Sequence, residues 1–108
     1  MNSNLKQTDL RRARRVTYLS RVSFLDDDWR RGVGDLQDLS TVGCRMISES
    51  PLRIGMELQL SLKAVTDEPD IKIEMAKVRW MDGDSYGLEF LGINPLERER
   101  LRLFLLTK

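Results

Sequence analysis

The chain has 108 residues, 41% hydrophobic and 32% charged, which suits one globular domain with a single core and is too short for two. No apolar run approaches the roughly 18 residues of a membrane helix, and residues 1–7 lack the apolar stretch of a secretory signal. The expected location is therefore the cytoplasm, without membrane insertion. The formal charge of +1 divides into +4 over residues 1–31 and −3 over residues 32–108, so a basic arm on a mildly acidic body points to an anionic partner met at one end.

Histidine is absent and the single cysteine is Cys44. No internal disulfide, no cysteine–histidine metal site and no nucleophile–base pair can be assembled. With no convergent carboxylate pair at a recognisable spacing either, the chain is expected not to be an enzyme and to carry no catalytic residue, metal or cofactor. Cys44 reads as a small buried apolar side chain.

In chain order, residues 1–10 are polar and aperiodic and are expected to form a flexible segment. From Val16 the apolar residues alternate, as in a strand with one buried face: Val16, Tyr18, Val22 and Phe24 come first. A charged loop, Asp26 to Gly32, follows, and its Trp29 reads as a stacking surface or a cover for one end of the fold. A second strand is expected over Val33 to Leu39, and a third carries Cys44 and Met46 on one face. Pro51 to Gly55 supply a turn before the clearest alternation, Met56, Leu58, Leu60 and Leu62.

After a polar loop, Ile71, Ile73 and Met75 are followed by Ala76, Val78 and Trp80, a phase shift of one residue that predicts a β-bulge near Met75 and Ala76. Asp82 to Ser85 then turn the chain into Tyr86, Leu88 and Phe90, a hairpin pattern. Six short strands make a barrel-sized set. The period finally changes to that of a helix, with Asn94 as N-cap, Pro95 in the first position and Glu97 placed to complete a capping box. Its stripe of Leu101, Phe104 and Leu105 is expected to close one mouth of the barrel, the other use of such a stripe being contact with another subunit.

Two clusters carry chemistry: Arg11-Arg12-Ala13-Arg14-Arg15 just before the first strand, and Asp38-Leu39-Ser40-Thr41-Val42-Gly43 at the end of the second. Alone, the first is a basic segment and the second a turn. Together, Arg11-x-x-x-Arg15 and Asp38-x-Ser40-x-x-Gly43, about two dozen residues apart, resemble the paired signature of PilZ domains. The resemblance extends through Val78-Arg79-Trp80 and Tyr86-Gly87-Leu88-Glu89-Phe90-Leu91 to the helix over Leu96 to Leu106. It departs at Val42, where the family often has glycine, so this turn must take a conformation open to a β-branched residue.

The resemblance implies a mainly β fold, a six-stranded antiparallel β-barrel of the PilZ split-barrel type with a C-terminal α-helix. Residues 11–108 would form a single domain that includes the arginine-rich arm. It also implies a bacterial receptor that binds cyclic di-GMP and signals to a separate, unidentified downstream protein, in the setting of motility or biofilm control. The implied ligand residues are Arg11, Arg15, Asp38, Ser40 and Gly43, with Arg12 and Trp80 as secondary contacts.

The residue types suit such a ligand. Guanidinium groups fork onto phosphate oxygens and onto guanine O6 and N7, or stack on a base. The Asp38 carboxylate accepts from guanine N–H groups, the Ser40 hydroxyl both donates and accepts, and Gly43 permits close backbone approach. By the two-residue period Asp38 and Ser40 share a strand face, and Trp80 falls in phase with the core. Two other readings compete: a PilZ-like interaction module without nucleotide, against which the retained signature weighs, and a general RNA- or DNA-binding barrel. The −3 balance of the body and only two tryptophans argue against nucleic acid.

Overall fold

The computed structural model describes residues 16–63 and 68–106, with side chains from residue 20 onward. The expectations for residues 1–10 and for Arg11, Arg12 and Arg15 lie outside the described residues. Six strands, β1 (Val16–Asp26), β2 (Arg31–Leu39), β3 (Gly43–Ser48), β4 (Glu57–Leu62), β5 (Ile71–Asp82) and β6 (Ser85–Gly92), precede one helix, α1 (Pro95–Leu106). The strands close into a barrel in the order β1-β2-β3-β6-β5-β4, with every neighbouring pair antiparallel. Closure removes the unpaired edges at which an open sheet would add foreign strands.

The alternation read from the sequence sets the inside of the barrel. Val22 and Phe24 of β1, Leu58, Leu60 and Leu62 of β4, and Ile71 and Ile73 of β5 all belong to one buried core; each such side chain contributes about 2 kcal/mol by leaving water. Leu101, Phe104 and Leu105 of α1 join that core, as expected for a helix that closes a mouth. At the N-terminus of α1 the Leu96 N–H donates to Asn94 Oδ1 at 2.8 Å. Glu97 does not complete a capping box. Its Oε1 instead accepts the Lys72 N–H at 2.7 Å and lies 3.2 Å from Arg100 Nη1. An Asn94→Ala variant is expected to lose about 1 kcal/mol, measured by urea denaturation.

Three bulges in β2 and β5 decide which side chains leave the core, and the β1–β2 register shifts as well, between Thr17 and Ser20. Between β4 and β5, Leu58 pairs with Ala76 and Leu60 with Ile73, so Glu74 and Met75 together oppose Gln59. Ile73 and Ala76 then both point inward while Glu74 and Met75 are both exposed, and the β5–β6 register also shifts between Met75 and Ala76, where the sequence predicts it. In β2, Leu36 pairs with Met46 but Asp38 with Arg45, which makes Gln37 the extra residue. In β5, Val78 pairs with Leu88 but Trp80 with Gly87, which makes Arg79 extra.

The ends of the barrel differ. At one end β1 begins, with Val16 opposite Leu39, beside the β2–β3 turn. At the other, the β1–β2 hairpin turns through Asp27 to Arg30, and Trp29 is 77% exposed, so it covers no barrel end.

Candidate ligand-binding site

The β2–β3 turn is built around Ser40. Its Oγ accepts the Val42 N–H at 3.1 Å and the Gly43 N–H at 3.2 Å, and its hydroxyl lies 3.3 Å from the Gly43 carbonyl. That carbonyl also receives the Ser40 N–H at 2.9 Å. The hydroxyl therefore does in this turn what short polar side chains do best, replacing backbone partners that the bend removes. Because β2 ends at Leu39, Ser40 does not share a strand face with Asp38 as the period of two implies. Among the described residues the left-handed conformation is confined to Trp29, Gly55 and Gly83, so Val42 sits at an ordinary φ and the turn tolerates its branched side chain.

Asp38 owes its direction to the Gln37 bulge. Leu36 and Leu39 lie three residues apart and both enter the core; the residue between them that pairs with Arg45 must then face out. The carboxylate is nonetheless only 3% exposed, and its Oδ2 stands 3.3 Å from Arg45 Nη2. Arg45, absent from the sequence motif, is thus the cation that steadies Asp38; antiparallel register across the turn is what brings them together. Behind them, burial and, second, the Asp38 carboxylate push the Cys44 thiol far up, so it stays protonated and serves only as core, as the sequence reading expects.

Trp80 is displaced from its expected place by the Arg79 bulge. It is 8% exposed yet lies outside the contiguous core, because its partner Gly87 occupies the outward position next to inward Leu88. The indole rests on Gly87 so closely that a Cβ there would collide with the ring. Its Nε1–H is buried and finds no acceptor among the described residues, an unpaired donor of the kind that marks a site.

Strand pairing lines these residues up. Asp38 neighbours Arg45, Arg45 neighbours Gly87 and Gly87 neighbours Trp80, so one row on the outer wall runs from the acid to the aromatic across three strand spacings, at most about 14 Å. On the other side of Asp38 its partner is Thr17, which roots the arginine-bearing segment beside the row. The patch thus offers a carboxylate, a half-exposed guanidinium, an indole N–H and the attachment of a basic arm.

The PilZ domain family model matches residues 9–107. The chain belongs to the PilZ family. No curated protein sequence matches it. Among solved structures, the PilZ domain of CeSA from a cellulose-synthesizing bacterium is similar at 15% identity and a TM-score of 0.67, over 88% of this chain and 98% of that one. YcgR from Escherichia coli, in complex with c-di-GMP, is similar at 15% identity and a TM-score of 0.70, over 89% of this chain and 44% of that one. Both share the fold of this PilZ domain, a closed six-stranded barrel with a C-terminal helix. Of the site residues expected from sequence, Asp38 and Trp80 lie on one row of the outer wall, and Ser40 and Gly43 form the turn beside Asp38; Arg45 and Gly87 are the members of the row that the motif does not announce.

Proposed function

We propose that this PilZ domain is a cyclic di-GMP receptor. It holds the dinucleotide between the arginine arm and the outer wall from Asp38 to Trp80, and passes the change of shape to a separate protein. The observation that carries this reading is that two independent bulges turn Asp38 and Trp80 outward onto one row beside the root of the arm. Either residue would otherwise fall in phase with the core. The ligand seen in YcgR supports it further.

In this reading Arg11 and Arg15 clamp phosphate and guanine, and Arg12 adds a phosphate or stacking contact. Asp38 accepts guanine N–H groups, Ser40 and Gly43 shape the turn so that backbone can approach, and Trp80 lies beside a base. No cofactor and no catalytic step is needed. Ordering an arm costs about 1 to 2 kcal/mol of backbone entropy per residue, which several charge-assisted contacts offset. Arm position is therefore a natural output, conveyed to a downstream protein.

The test is calorimetric titration with cyclic di-GMP, beside GTP and a short single-stranded RNA at matched salt. Saturable binding selective for cyclic di-GMP, weakened tenfold or more by Arg15→Ala, is the expected result. No binding by folded protein would leave an interaction module without nucleotide, and comparable RNA binding would favour the nucleic-acid reading.

A further inference from the structure

Away from the root of the arm, and sharing no residue with the row just described, lies a second feature, built by the β5 bulge and the β1–β2 hairpin. The bulge turns Glu74 and Met75 outward together, and with Glu57, Asp26, Asp27 and Trp29 they line a cleft of about 190 Å³. The hairpin is fixed rather than loose. Asp26 Oδ1 accepts the N–H groups of Asp28 and Arg30 at 2.8 and 2.9 Å, and the Asp26 carbonyl accepts the Trp29 N–H at 3.0 Å.

Trp29 stands in this hairpin at φ 63°, a conformation natural to glycine and costly for a bulky side chain. The ring is 77% exposed and gains nothing from the core in return. Four carboxylates surround the cleft, and no basic side chain lines it. Glu57 has Lys77 at 3.7 Å, whereas Asp27 and Glu74 make no ion pair among the described residues. An open aromatic face, a thioether and uncompensated carboxylates around a space for one long side chain suit a cation on an apolar stem.

We propose that this cleft docks a separate protein through an arginine or lysine side chain seated on Trp29. Past Gln59 and Glu74 the cleft opens into a groove of about 760 Å³ edged by Ser23, Ser61, Arg31 and Lys72, with Lys72 Nζ donating to Ser61 Oγ at 2.6 Å, leaving room for the residues that flank the cation. Within the cleft itself the four carboxylates disfavour a phosphate. The N-terminal arginines do not reach: β1 carries the backbone about 33 Å from Val16 to Asp26, and residues 11–15 add at most about 18 Å beyond Val16; Arg30 and Arg31 of the hairpin itself do not line the cleft. The inference deepens the receptor reading by giving its reader a place, but with residues none of which belong to the row, so the two fail separately.

The probe is a blocked heptapeptide of glycine and serine with one central arginine, titrated into the ¹⁵N-labelled chain and followed at the Trp29 indole and at Glu57 and Glu74. A counterpart with central glutamine is titrated in parallel. Saturable shifts at these residues, at least tenfold weaker for glutamine, are expected. Trp29→Gly, which suits the local φ and so keeps the fold, is expected to weaken arginine-peptide binding at least tenfold and leave cyclic di-GMP binding unchanged. Equal shifts with both peptides, or none at Trp29, would overturn the proposal. So would self-association of the chain that Trp29→Gly abolishes, since the occupant would then be a second copy.

Discussion

Asp38→Ala is expected to weaken cyclic di-GMP binding about 100-fold, close to 3 kcal/mol, while changing the stability of the fold by no more than about 1 kcal/mol. The two effects separate because of where the carboxylate sits. It is only 3% exposed, so a guanine that replaces water there meets an acceptor already stripped of solvent, and bonds to such a charged acceptor are worth about 1.5 to 3 kcal/mol. In the unliganded fold the carboxylate faces Arg45, whose side chain is 39% exposed. Losing the acid strands no buried cation, which is the circumstance that makes broken ion pairs expensive. Asp38→Asn is expected to bind as poorly as alanine, since it places an amide donor against the donor edge of guanine. Calorimetry and urea denaturation on the same preparations check both halves. A stability loss of about 3 kcal/mol or more would make Asp38 a structural residue and overturn its assignment to the ligand.

Why the sequence discloses some of this site and conceals the rest comes down to how bulges print themselves in a pattern of two. The β5 bulge at Met75 and Ala76 separates two apolar runs of opposite phase, so it is visible in the residues themselves. The Gln37 bulge leaves a fainter trace, two core leucines three residues apart, and an alternation that expects Asp38 to follow Leu36 inward misses it. The Arg79 bulge leaves none. Val78 and Trp80 are both apolar and two apart, and only their partners, Leu88 and Gly87, reveal that one faces in and the other out. Local chemistry reads in the same graded way. Asn94 caps its helix because its donors are next to it in sequence, while Glu97 has a choice between the cap and the start of β5, and the choice is tertiary. Arg45 is invisible as a site residue for the same reason: its importance comes from lying across the turn from Asp38.

On the proposed reading, two separate surfaces of the barrel share the work of holding a ligand and meeting a partner. At the root of the arm, bulges push an acid and an aromatic onto a wall flanked by the most basic segment of the chain. At the far hairpin another bulge and a strained turn present an aromatic among carboxylates. Opposite charge preferences on separate surfaces would let a dinucleotide and a protein be held at once without competing, through a barrel whose closed hydrogen bonding makes it a rigid spacer.

Gly87→Ala is the substitution expected to damage both the fold and the ligand wall. The added methyl group would occupy space held by the Trp80 ring, and since Gly87 is paired on both sides, with Arg45 in β3 and Trp80 in β5, the backbone cannot retreat. The indole must swing out instead, at a cost of about 3 kcal/mol, at the upper end of what overpacking does. Cyclic di-GMP binding is expected to fall at least tenfold as the ring leaves its base. Trp80→Ala isolates the cause. In that background the Gly87→Ala change is expected to cost less than about 0.5 kcal/mol, because nothing remains to collide with, and the departure from additivity measures the contact itself. Additive losses in the double variant would mean that Gly87 is required for the strand and not for the tryptophan. In that case the wall would lose its reason for a glycine at this position, and Trp80 its platform.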